Sequence, residues 1–303
     1  MKKLFTILLA VTMIFTLVAC NNDTKEGTET KPEETPVTEV KEAEETEEKE
    51  ETTETVGENK LEQIKSTGKL IVGTSADYPP YDFHAIVDGE DKIVGFDMEF
   101  ARAIAEEWGV ELEIQDMDFA AVLAGVQTGM VDMGIAGINP NPERAQTMDF
   151  SDVYFESAYC ILVREEDKDN YKTEEDLNGK AIGVQTGTVQ EGFVTENVEA
   201  GNVVSLGKVT DLVMQLQSNM IDAIVIEVPV ADSYAKNNEG IVAVPEVDFS
   251  DYGIEGGSVV VTAKGQTELV EAVNEIIAKL QSEGKFEQWY AEAVELADSQ
   301  GIE

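Results

Sequence analysis

From residue 60 onward, short apolar runs alternate with amphipathic stretches, and this alternation constrains the fold more than any other feature. "KLIVGTS" and "ELEIQD" read as strands. Between them, "DMEFARAIAEEWG" spaces Met98, Ala101, Ile104, Ala105 and Trp108 as one helix face, with Gly109 as its stop. "DFAAVLAGVQTGM" follows as a second helix and "VDMGIAGI" as a strand. The second half repeats the rhythm: "KAIGVQTG", a helix, "VVSL", "TDLVMQLQSNM", "IDAIVIE", "PVADSYAKNN" and "IVAV". After Gly256-Gly257 come one more strand, "SVVVTA", and two C-terminal helices. Parallel strands need crossovers and take helices on their faces, so the expected class is α/β, with ligands at the carboxyl ends of strands.

Two stretches repeat coarsely. "FAAVLAGVQTGMVDMGIAGI" and "DLVMQLQSNMIDAIVIEVP" each run helix, polar break with Met, Asp, apolar strand. That is consistent with two lobes built on one βαβ plan, each delivering a strand end to a shared cleft. A chain of 303 residues has room for about two domains.

Charge excludes one class of partner. The formal net charge is −41, and residues 60–303 alone carry 47 acids against 15 bases. A body so negative repels phosphate backbones and offers no basic stripe, so nucleic acid is not a partner.

The first residues, "MKKLFTILLAVTMIFTLVAC", have the charged start and apolar run of an export signal, too short to argue for a stable span. Leu17-Val18-Ala19-Cys20 resembles the bacterial lipobox, which implies cleavage before Cys20 and diacylation of its thiol. Residues 1–19 are then a lipoprotein signal peptide. Residues 21–59 hold 15 acids against 4 lysines with no aromatic, Leu or Ile, a composition that cannot offset the entropy of ordering. Residues 20–59 are therefore expected to form a lipidated cysteine and a disordered tether. For 39 flexible residues the r.m.s. span is about 35 Å.

Only Cys160 then remains in the mature body, in the apolar run "SAYCILV", where a buried inert thiol is expected. His84 is the single histidine, in a stretch that reads as loop. One His and one internal Cys leave little material for a zinc site or a Ser-His-Asp triad, and no cofactor or metal is expected.

Five blocks in order, "GKLIVGTSADYPPYDF", "GFDMEFARAIAEEWGV", "MDFAAVLAGVQTGMVDMGIAGI" with "PERAQTMDFSDVYF", "GKAIGVQTGTVQE" and "DAIVIEVPVA", resemble the family 3 solute-binding proteins of polar amino-acid ABC importers. The resemblance implies a type II periplasmic-binding-protein fold: two lobes, each a mainly parallel sheet flanked by helices, joined by two crossings. Residues 60–155 and 256–303 would form lobe 1 and residues 156–255 lobe 2.

The resemblance also implies roles for residues. Arg144, one of three arginines, would clamp the ligand's α-carboxylate with Asn139, Thr188 and Val189; a guanidinium can hold both carboxylate oxygens. Asn139 stands where the family usually has a hydroxyl. Glu227, where Asp is common, and Gly137 would take the ammonium. Tyr78 and Phe119 would sandwich the side chain, with Ser75 and Gln185 at its tip. Lysine- and arginine-binding members commonly place an acid at the position of Ser75, so an uncharged polar ligand is favoured, with Asp77 as the residue that could compensate. Thr188 and Val189 open a helix whose N–H groups suit an anion.

The expected protein is a monomer that closes on an amino acid and presents it to a membrane permease. It would be anchored in the bilayer through Cys20 on the outer face of a single-membrane bacterium. The alternatives are a dehydratase of a cyclic carboxylic acid on the same scaffold, and a surface adhesin.

Overall fold

The computed structural model describes residues 59–247, 249 and 256–300. The expected export signal, Cys20 and the expected acidic tether up to residue 58 lie outside the described residues, as does most of the second expected crossing.

Two five-stranded sheets organise the chain. The first contains β1 (Lys69–Thr74), β5 (Glu111–Asp116), β6 (Met133–Gly134), β7 (Met148–Phe150) and β15 (Val261–Ala263), in the order β5-β1-β6-β15-β7. The second contains β9 (Tyr159–Arg164), β10 (Ala181–Gln185), β11 (Asn202–Leu206), β12 (Ala223–Glu227) and β13 (Ile241–Val244), in the order β11-β10-β12-β9-β13. Both share one pairing scheme: two parallel ladders, then two antiparallel ones. The reversed strand is β15 in one sheet and β9 in the other. Each is the first strand of its sheet after the chain passes β8 (Phe155–Glu156) or β14 (Gly257–Ser258), which pair as a two-stranded ribbon.

The duplication extends to side chains. Asp132 Oδ2 accepts the Ile71 N–H at 2.7 Å, and Asp222 Oδ2 accepts the Ala181 N–H at 2.9 Å, each tying the start of β6 or β12 to its neighbour. Each aspartate also meets a cation, Lys60 at 2.6 Å or Arg164 at 3.3 Å. A Cβ added at Gly73 would lie 3.2 Å from Val131 and 3.3 Å from Val122, and one at Gly183 2.5 Å from Ile221 and 3.0 Å from Leu212, so both strands favour glycine where a helix and the turn after it pack closely. Ser75 and Gln185 stand two residues beyond these glycines; Gly137 and Glu227 stand five beyond the aspartates. The lobes thus offer matching positions to one cleft.

Helices cover both sheets. Helix α2 (Phe96–Trp108) has Asp97 and Glu99 in its first turn and Gly109 in the left-handed conformation as its stop. It buries Met98, Ala101, Ile104 and Ala105, and Trp108 packs half-buried against the core. Helix α3 (Phe119–Thr128) and α4 (Val189–Asn197) start at the cleft; α5 (Val209–Gln217) and α6 (Val228–Asn237) flank the second sheet. Helices α7 (Thr267–Ser282) and α8 (Lys285–Gln300) close the chain. Tyr290 of α8 stacks on Phe155 of the crossing ribbon at 5.1 Å, and Phe155 meets Tyr81 and Phe96 at 5.8 and 4.8 Å.

Some expectations need correction. "VDMGIAGI" yields only a two-residue strand, because the chain turns off the sheet at Gly137, whose φ is +55°. "SVVVTA" splits into β14 and β15, since Val259 donates to the Ile138 carbonyl rather than continuing either ladder. His84 lies on strand β3 (Asp82–Val87), not in a loop; with β2 (Asp77–Tyr78) and β4 (Glu90–Val94) it forms a small antiparallel sheet. Helix α1 (Lys60–Thr67), capped by Asn59 and buried through Leu61 and Ile64, was hidden in a short polar stretch. Cys160 is fully buried on β9, and burial pushes its thiol pKa up, which leaves it inert.

Candidate functional site

The site lies where β1, β6, β10 and β12 end and α3 and α4 begin. Arg144 opens a short 3-10 turn after the Asn139-Pro140-Asn141-Pro142 run; its own N–H donates to Asn141 Oδ1 at 2.7 Å, which fixes the turn. The side chain is 8% exposed. Nη1 donates to the Asn139 carbonyl at 2.5 Å, and Nη2 crosses to the Gly187 carbonyl at 2.6 Å. The guanidinium lies 5.5 Å from the Phe119 ring centroid. Among the described residues no carboxylate is within ion-pair distance, and burial pulls its pKa down to about 10. A buried cation held only by carbonyls and a ring face is a strong anion receptor.

Glu227 faces it from β12 with no exposed surface. Its Oε2 accepts from the Tyr81 hydroxyl at 2.5 Å and the Ser157 hydroxyl at 2.8 Å, and its Oε1 accepts from the Asn139 amide at 3.0 Å. Burial raises its pKa; those three hydrogen bonds pull the other way. Asn139 therefore links the two poles. Its carbonyl serves Arg144 and its amide serves Glu227 and, at 3.4 Å, the Gly257 carbonyl.

The remaining expected residues converge on the same cleft with some changes of role. Tyr78, Gln185 and Thr188 line two enclosed cavities of about 10 Å³ each, room for about one water apiece; Phe119, Gly137 and Asn139 line one of them. The Gly137 N–H is committed to Asp97 Oδ2 at 2.8 Å, so only its carbonyl can face an ammonium. Thr188 caps α4, yet its N–H, expected free, donates to the Gln185 carbonyl at 3.4 Å and its hydroxyl to the same oxygen at 2.7 Å. Val189 is the first residue of α4. The Gly187 N–H is taken by Glu191 Oε2 at 2.6 Å, so this helix start already holds a carboxylate. Ser75 is buried and donates to Asp77 Oδ1 at 3.1 Å.

Two buried acids hold Ser75, Asp82 through its N–H at 2.9 Å and Asp77 through its hydroxyl. Asp77 also reaches the second sheet's helices. Its Oδ2 accepts from the Val209 N–H at the start of α5, and its carbonyl accepts from the Tyr234 hydroxyl at 2.8 Å, both across the cleft. Burial raises its pKa to about 6. Alongside it, Asp116 meets Lys208 at 3.4 Å.

Several site residues escaped the sequence reading. Gln190 is buried, lines both cavities and has an Oε1 with no partner among the described residues; a glutamine in the first turn of a helix otherwise looks solvated. Tyr81, Ser157 and Tyr159 lie in apolar or turn-like runs, and only their tertiary position brings them to Glu227.

Residues 70–294 match the model of the bacterial extracellular solute-binding proteins, family 3. The chain belongs to that family. Among curated proteins, the arginine-binding extracellular protein ArtP of Bacillus subtilis is 35% identical over 72% of this chain and 83% of that protein. The L-cystine-binding protein TcyJ of Escherichia coli is 32% identical over 77% of this chain and 86% of that protein. Among solved structures, the amino-acid ABC transporter substrate-binding protein AbpA of Streptococcus pneumoniae, bound to L-arginine, superposes with a TM-score of 0.75 at 36% identity. It spans 78% of this chain and 98% of its own. This family 3 chain therefore has the two-lobed fold of extracytoplasmic binding proteins, and among its described residues no helix is long and apolar enough to cross a membrane.

Proposed function

We propose that this family 3 protein captures a cationic amino acid, L-arginine foremost, and delivers it to the permease of an ABC importer. One observation carries the reading: a buried guanidinium with no carboxylate partner among the described residues faces a fully buried carboxylate across the cleft. An α-amino acid supplies the complementary pair, its carboxylate to Arg144 and its ammonium to Glu227. In this reading Val189 supports the carboxylate, joined by Asn139 and Thr188 once their present bonds to Glu227 and Gln185 open; the Gly137 carbonyl supports the ammonium, and Tyr78 and Phe119 flank the side chain.

The cationic preference rests on Asp77. In this reading its buried carboxylate, bonded to the Ser75 hydroxyl, supplies the acid missing at position 75, in place of the uncharged ligand favoured by the sequence. The arginine-bound and arginine-binding relatives support it. Direct bonds from Tyr81 and Asn139 to Glu227, and from Arg144 to Gly187, must lengthen or open to admit a ligand of this size. Ligand then stabilises closure through its contacts with both lobes.

The protein does no chemistry in this reading: Glu227 is held by three donors as a fixed acceptor, not poised as a free base. The lobes divide at the β8–β14 ribbon, with residues 60–155 and 256–303 on one side and 156–255 on the other. Cys20 carries the lipid anchor, and the protein works as a monomer outside the membrane.

A thermal-shift screen of the twenty amino acids, ornithine and cystine tests the ligand. Arginine should give the largest rise in Tm, and Arg144→Ala should abolish it. Wild-type affinity in Arg144→Ala, measured by calorimetry, would overturn the assignment. Cys20→Ser should release the protein from the membrane fraction.

A further inference from the structure

Tyr159 is the first residue of β9 and lies directly opposite Glu227 of β12 in the antiparallel ladder. Directly opposed residues project from the same face of a sheet. Glu227 projects into the cleft, where it meets Tyr81 and Asn139, so Tyr159 stands on that face beside it. The residue belongs to the same buried cluster as Ile161, Val184 and Val225 and is only 4% exposed.

Among the described residues its hydroxyl has no hydrogen-bond partner. That is unusual for a buried O–H, because leaving a polar group unsatisfied costs stability that a phenylalanine would not cost. Its charged surroundings are those of the cleft: Glu227 and Arg144 both act on it electrostatically. Burial, and secondarily Glu227, push the hydroxyl's pKa up against the pull of Arg144, so it remains a protonated donor.

We propose that the Tyr159 hydroxyl is a ligand-positioning donor that completes the carboxylate clamp with Arg144. This rests on the amino-acid reading above. A carboxylate on Arg144 is the one expected ligand group that is anionic and lies among these residues. It would accept the O–H that the protein itself leaves unsatisfied. The side chain is thus a case of stability given up for recognition.

The test uses calorimetric titration of the whole protein with L-arginine and thermal unfolding without it, on the wild type, Tyr159→Phe, Arg144→Lys and the double variant. Tyr159→Phe keeps the ring and removes only the orphaned oxygen. The expected result is a 5- to 20-fold higher Kd for Tyr159→Phe with an unchanged or raised ligand-free Tm. The two substitutions should also be non-additive, because they act on one carboxylate.

A Kd within twofold of wild type overturns the proposal. So does a weakened Kd accompanied by a lowered ligand-free Tm, or full additivity with Arg144→Lys. Wild-type protein that binds no amino acid at all would overturn the amino-acid reading and this proposal together. Wild-type binding with an unaffected Tyr159→Phe removes this proposal alone.

Discussion

The side-chain amide of Asn139 donates to Glu227 Oε1 at 3.0 Å, while the backbone carbonyl of the same asparagine accepts from Arg144. One residue therefore presents a donor to the acidic pole and an acceptor to the basic pole of the cleft. It is also the position where the loop departs from the family's usual hydroxyl. A bond to a charged group is worth about 1.5–3 kcal/mol. Asn139→Ala should therefore shift the ligand-free protein toward the open form, seen as a larger radius of gyration by small-angle X-ray scattering. An unchanged radius would mean this bond does not hold the lobes together.

Glu227→Gln keeps the shape and the acceptor oxygen but removes the charge. The ammonium then loses its ion pair, and L-arginine affinity should fall by at least tenfold, about 1.4 kcal/mol or more. Calorimetry would show it. Equal affinity would place the ammonium elsewhere.

Acid should stabilise the fold between pH 8 and pH 5. Burial raises Asp97 to about 7 and Asp77 to about 6, from an ordinary value of 3.8. The folded state thus binds more protons than the unfolded state between about pH 4 and 7. The stabilisation is fully present below the unfolded value and is lost as pH rises through the folded one. Tm should rise by several degrees from pH 8 to pH 5, and Asp97→Asn should flatten that slope. Arginine affinity should move oppositely, weakening below about pH 6 as Asp77 gains its proton.

Gly187→Ala probes closure. Gly187 has φ +85°, and a Cβ there would lie 3.1 Å from the Ala120 Cβ of the other lobe. Left-handed strain of roughly 1–2 kcal/mol is present whether the lobes are open or closed; the Ala120 contact exists only when they are closed. The variant should lose about 3- to 10-fold in arginine affinity beyond any fall in its urea midpoint. Unchanged affinity would mean the α3 and α4 starts do not approach so closely in the complex.

Lys208→Gln should do little. The Lys208–Asp116 pair crosses the cleft at 3.4 Å, but both side chains are partly solvated, and such pairs contribute about 0–1 kcal/mol. Affinity should fall by less than about fivefold, and the loss should vanish in 0.5 M salt. A loss that persists in salt would assign Lys208 a contact with the ligand itself.

Hydrophobic periodicity is a local property, so the alternation of strands and helices, the shared plan of "QTGMVD" and "QSNMID", and the ordered motif blocks were legible before any coordinates. Arg144 and Glu227 were singled out differently, by the resemblance of the motif blocks around them to the family 3 solute-binding proteins. Which lone pair meets which proton depends instead on groups distant in sequence. Tyr81 reaches Glu227 from 146 residues away, and Asn139 reaches it from 88. No periodicity encodes those contacts, and none marks Tyr159 as a buried hydroxyl without a partner. The sequence by itself determined the alternating α/β plan, and the resemblance of its motif blocks to a family pointed to Arg144 and Glu227. Only the tertiary structure decided that Asn139 bridges those poles, that the Gly137 and Thr188 N–H groups are already taken, and that the Asp77 carboxylate is buried against Ser75. The physical reason is that hydrogen-bond geometry is fixed by packing across lobes, which local sequence does not carry.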